Sequence, residues 1–184
     1  MPRFARFAAV AALALIAPAA PAVAALEVGA SAPRFMAPGA QGGRRLTVDL
    51  DRALRNGPVV LYFFPRAFSS GCTLESRAFA EAMPRFRAAG ATVIGVSSDN
   101  VDTLARFSTQ ECRAAFPMAS ANAAQLRAFD VTLAPGVASR TSYVIGRDRR
   151  VALVHRDMNP NDHVRLTLAA VQRLNASSRR RAGA

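Results

Sequence analysis

The chain has 184 residues and a formal charge of +12, and every basic residue is an arginine. Such a balance can mark nucleic-acid binding, but these arginines are scattered over helices, turns and tail, with no helix-turn-helix, zinc-finger or aromatic stacking motif beside them. The two cysteines form no Cys-x-x-Cys, and His155 and His163 stand at no metal-ligand spacing, so a dithiol oxidoreductase is disfavoured and neither metal nor other cofactor is expected.

Residues 1–24 begin with Arg3 and Arg6, continue through an apolar stretch and end on Ala22-Val23-Ala24. That is the layout of a secretory signal peptide, with an apolar stretch too short for a stable membrane span. Export to the periplasm or medium is therefore expected, with no membrane span after cleavage. Residues 25–175 then form one domain, and 176–184 a basic tail predicted to be disordered.

Residues 29–43 read as irregular, and 45–50 as a short strand. Residues 51–56 form a helical turn ended by Gly57. The continuous apolar run 58–64 is predicted to be a central strand buried on both faces. Residues 73–89 read as helix, interrupted by Pro84 and ended by Gly90. A second buried strand spans 91–97, and Asp99 or Asn100 caps a helix over 101–110. A strand at 116–119, a helix at 122–129, a strand pair at 140–146 and 151–156, and an amphipathic helix at 161–174 complete the domain. Strands alternating with helices imply an α/β domain with a central mixed sheet flanked by helices on both faces.

Cys72 is the most informative residue. A buried strand stops at Pro65, a short loop follows, and a helix begins at or near the cysteine. The sulfur is thereby placed near backbone N–H groups without intrahelical partners, where the helix dipole favours an anion. The thiolate is the reactive species of a thiol. The hydroxyl of Ser69, three residues earlier, can hydrogen-bond the thiolate or an oxygen approaching it.

The spacing Pro65-x3-Ser69-x2-Cys72 resembles the active-site signature of the peroxiredoxins, and the flanking residues look most like their bacterioferritin comigratory protein or peroxiredoxin Q branch. The resemblance runs through Glu27-Val28-Gly29, Val59 to Pro65, Gly90 to Ser97, Phe116-Pro117 and Arg140 to Ile145. It implies a thioredoxin-like fold and a thiol peroxidase that reduces hydrogen peroxide or organic hydroperoxides. Cys72 would be the nucleophile oxidised to a sulfenic acid, Ser69 a hydrogen-bond donor, Arg140 the charged partner, and Pro65 a shield over the sulfur. The reductant would be a thiol system such as a thioredoxin-like protein.

Two departures from the family stand out. Ser70 replaces a frequent proline, and Arg77 occupies the position where many members carry a resolving cysteine. Cys112 is the one thiol left for that role, and it would need local unwinding to reach Cys72. Two alternatives stay open: a one-cysteine peroxidase with Cys112 a spectator, or a non-enzymatic binding or structural protein with a permanent Cys72–Cys112 disulfide.

Overall fold

In a computed structural model the chain is described over residues 26–183, so the expected signal segment lies outside the described residues. The strands β1 (Met36–Gln41) and β2 (Arg44–Asp49) pair antiparallel, and α1 (Leu50–Asn56) follows under an Asp49 cap. Next come β3 (Val59–Phe63), α2 (Ser70–Ala88), β4 (Thr92–Ser97) and α3 (Val101–Gln110). The rest of the domain is β5 (Met118–Ser120), α4 (Ala123–Ala128), β6 (Thr132–Ala134), β7 (Val137–Ala138), β8 (Thr141–Ile145), β9 (Val151–Arg156) and α5 (His163–Ala182).

Seven strands make one mixed sheet in the order β2-β1-β5-β4-β3-β8-β9. The strands β3, β4 and β5 run parallel, and β8 is antiparallel to β3. All five residues of β3 are buried, as its apolar run predicts. Successive side chains of a strand point to opposite faces, and β3 divides the core accordingly. Val59, Leu61 and Phe63 join Leu54 of α1 and Leu126 of α4 on one face. Val60, Tyr62 and Phe64 join Phe79 of α2, Phe107 of α3 and Val171 of α5 on the other, together with both cysteines.

Three expectations need correction. Residues 36–41 form β1 inside the region read as irregular. Its Pro38 and Gly39 disguise it, yet a side chain on Gly39 would run into the Met118 carbonyl of β5, so glycine is required there. Helix α2 begins at Ser70 and continues unsplit through Pro84. Residues 176–182 are helical, not disordered, because α5 runs on to Ala182 and meets no helix breaker before Gly183. The Ser177 and Ser178 hydroxyls donate back to the Arg173 and Leu174 carbonyls, as mid-helix serines commonly do.

Candidate active site

Strand β3 delivers the chain to the site, and the loop after it is held by Asp99. The Asp99 carboxylate accepts from Ala67 N at 2.7 Å and from the Ser97 hydroxyl at 2.8 Å, and its carbonyl accepts from Ser120 Oγ at 2.7 Å. One residue thus ties the loop to the ends of β4 and β5, through its carboxylate to Ala67 and Ser97 and its backbone carbonyl to Ser120. The loop turns through Phe68, which adopts φ 64°, a left-handed conformation that costs a non-glycine residue about 1–3 kcal/mol. Its ring packs edge-on against Phe107 of α3, with centroids 5.1 Å apart.

Ser69 is the N-cap of α2, and Cys72 lies within the first turn, with the sulfur side chain only 1% exposed. The helix N-terminus and a guanidinium converge on it. Arg140, directly before β8, points Nη2 at Cys72 Sγ from 3.5 Å. Gly71 makes room, since a Cβ there would stand 3.1 Å from that nitrogen. Pro65 is half-buried just beyond β3. Ser69 differs from expectation: its exposed hydroxyl donates to the Arg66 carbonyl at 3.0 Å, which closes the loop instead of serving the sulfur.

Arg140 is itself held from two further sides. Nε donates to the Met158 carbonyl at 2.9 Å, and Nη1 donates to Glu75 Oε2. Glu75 lies three residues after Cys72 on the same helix face and is fully buried. Its Oε1 has no hydrogen-bond partner and faces His163 Nδ1 at 3.5 Å. Burial pushes the Glu75 carboxyl up to about 8, against the pull of Arg140. Burial also pushes His163 down to about 4, so the imidazole is neutral at pH 7. His163 Nε2 donates to the Asp157 carbonyl at 2.9 Å, which leaves Nδ1 to accept from the Ser142 hydroxyl at 2.8 Å.

Sequence reasoning missed Glu75, His163 and Asp99 as members of the site. The available signal was Glu75 on the apolar stripe of its helix, where an unpaired acid is costly.

Cys112 lies beyond the end of α3, in the turn after Gln110, and not within the helix. Its thiol is fully buried and faces Ser76, whose hydroxyl also pairs with Tyr62 Oη at 3.0 Å. Burial pushes this thiol up to about 12, so it is protonated where it stands. Both cysteines are free thiols, and a permanent Cys72–Cys112 disulfide does not describe this structure.

A profile of the AhpC/TSA family matches residues 28–154. The chain belongs to the AhpC/TSA family. Within it the chain falls in the bacterioferritin comigratory protein and peroxiredoxin Q-like branch. It is 29% identical over 156 residues to a chloroplastic peroxiredoxin Q of Suaeda salsa, covering 83% of this chain and 71% of that one. It is 31% identical over 86 residues to the peroxiredoxin Bcp of Escherichia coli strain K12, covering 47% and 53%. Among solved structures, peroxidoxin BcpB of Mycobacterium tuberculosis superposes with a TM-score of 0.72 at 30% identity, covering 81% of this chain and 98% of that one. Xanthomonas campestris peroxiredoxin Q gives 0.65 at 29%, covering 75% and 90%. This peroxiredoxin therefore has the thioredoxin-like fold and is a thiol peroxidase oxidoreductase. Among the described residues no cluster of side chains is arranged to hold a metal, and no helix is long and apolar enough to cross a membrane.

Proposed function

We propose that Cys72 is the peroxidatic thiolate of an exported peroxidase. The approach of Arg140 Nη2 to its sulfur within a buried helix N-terminus carries this reading. The thiolate attacks one peroxide oxygen. An S–O bond forms, the O–O bond breaks, and the departing oxygen takes a proton to leave as water or alcohol, with Cys72 as a sulfenic acid. Negative charge moves from sulfur to the leaving oxygen, and a fixed guanidinium stabilises both positions. In this reading Cys112 then displaces the sulfenic hydroxyl as water. An external dithiol, of the thioredoxin-like kind, reduces the resulting disulfide.

Peroxide consumption by purified protein tests the nucleophile. Cys72→Ser is expected to abolish turnover, and wild-type activity in that variant would overturn the assignment. Peptide mapping after one equivalent of peroxide is expected to show a Cys72–Cys112 crosslink within one chain. The buried, protonated state of Cys112 favours a second reading, a one-cysteine peroxidase with Cys112 a spectator. In that case Cys112→Ser turns over normally with every reductant. For export, N-terminal sequencing of protein from the native host is expected to begin at or beside Ala25, and an intact Met1 in a cytoplasmic fraction would defeat it.

A further inference from the structure

One ion pair stands against the Cys112 turn and takes no part in the chemistry above. Arg77, next to Ser76 on α2, holds Glu111 through two nitrogens: Nε donates to Oε2 at 2.8 Å, and Nη2 lies 2.6 Å from the same oxygen. Glu111 caps the C-terminus of α3 and directly precedes Cys112. Its side chain is only 15% exposed, so the pair is partly shielded from water on that side. Further along α2, Arg87 donates to the Ala115 carbonyl at 3.0 Å, and from β1 Gln41 donates to the Ala114 carbonyl at 2.8 Å.

The turn that these contacts hold is strained. Arg113 and Ala114 adopt φ 50° and 55°, two consecutive non-glycine residues in the left-handed region. Such residues are strained and persist only where their surroundings impose them. The turn is thus held shut from outside while its own backbone favours opening.

We infer that Arg77 and Glu111 are positioning residues for the second half of the catalytic cycle, and that their ion pair is a latch holding the 111–115 turn closed over the Cys112 thiol. This rests on the reading of Cys112 as the resolving cysteine. The thiol faces Ser76, four residues and so about 6 Å of helix rise beyond Cys72. Both cysteines are free thiols in this arrangement, a disulfide requires Cα atoms roughly 4.4–6.8 Å apart, and on this proposal it is the turn that moves to bring them together. Once released, the hydrated thiol loses its proton more readily and attacks the Cys72 sulfenic sulfur. The S–S bond forms, the S–O bond breaks, and the hydroxyl leaves with that proton as water. The first peroxide is the only oxidant consumed. While the latch stays closed, a second peroxide competes for the sulfenic acid and carries it to the sulfinic acid.

Wild type, Arg77→Gln, Glu111→Gln and the charge-swapped pair Arg77→Glu/Glu111→Arg make the test. After one equivalent of hydrogen peroxide, the disulfide is followed by quenching with an alkylating reagent and measuring intact mass. Arg77 is largely exposed, so the pair is a modest one, and the single variants should form the disulfide about two- to fivefold faster. The swapped pair should return towards the wild-type rate, and consumption of the first equivalent should be the same in all four. In a Cys72→Ser background, maleimide labelling of Cys112 should accelerate by the same factor, which reads the opening without any peroxide chemistry. Equal disulfide rates in all four proteins overturn the latch and leave the resolving cysteine standing. Absence of the disulfide from every protein overturns both.

Discussion

At the scale of single residues, Arg140 faces two acids, the Cys72 thiol and the Glu75 carboxyl, and can give its charge wholly to only one. Below about pH 8 Glu75 holds its proton and Arg140 is left to the sulfur. Above it, the carboxylate competes. The ratio of the oxidation rate in Glu75→Gln to that in wild type is therefore expected to rise as pH passes through about 8, and a flat ratio in stopped-flow traces would remove Glu75 from the site. Stability should follow the same proton. An unfolded glutamate releases it near 4.5, whereas the folded one keeps it to about 8, so wild type loses stability relative to Glu75→Gln as pH rises between those values. Arg140→Met should slow oxidation by about 10²-fold and, by leaving the protonated Glu75 carboxyl without its hydrogen-bond partner, cost about 1–3 kcal/mol in chemical denaturation near pH 7. The double variant Arg140→Met/Glu75→Gln should regain most of the stability and none of the rate. Cys72 was legible in the sequence because its spacing from Pro65 and Ser69 forms a motif, and Arg140 because the segment it opens resembles the family's. Glu75 and His163 were not, because their role depends on a burial that only the packed fold creates, and Ser69 misled because its hydroxyl is taken by the nearby Arg66 carbonyl.

At the scale of elements, the site depends on a strand, a loop and a helix start arriving in order, and Asp99 fixes the middle member. Asp99→Ala leaves Ala67 N–H and the Ser97 hydroxyl without their shared acceptor. A loss of about 1–3 kcal/mol is expected from thermal or denaturant unfolding, with slower peroxide oxidation because Phe68 no longer has a fixed loop to hold its left-handed turn. Asn100, and not Asp99, caps α3, accepting from Thr103 N at 2.9 Å, so the acid predicted as a possible cap was free to anchor the loop. Strands with continuous apolar runs, such as β3 and β4, were readable because burial on both faces writes itself into composition. The strand β1 was not, because Gly39 answers to the carbonyl of a neighbouring strand and Pro38 is a residue that argues against a strand, so neither follows a periodicity of its own. The short β6–β7 pair escaped for a related reason: its first strand is wholly exposed and carries no burial pattern. The extension of α5 was hidden by a composition of Ser, Ala and Arg that suits a helix and a solvated coil equally.

At the scale of the whole molecule, the sheet separates two apolar clusters, and both cysteines belong to the one lined by α2, α3 and α5. The opposite cluster, under α1 and α4, contains no cysteine. Leu126→Ala in α4 should therefore cost about 2–5 kcal/mol in global stability while leaving the rates of Cys72 oxidation and of disulfide formation unchanged. A change in either rate would show that the two faces are mechanically joined. Because β3 carries side chains into both clusters, it works as a bulkhead between the compartment that the proposed cycle would loosen and the one it would leave alone. On that proposal the enzyme would open part of its interior repeatedly without passing through an unfolded chain, and mutations that harden or soften the quiet compartment would set how long the protein lasts, not how fast it turns over.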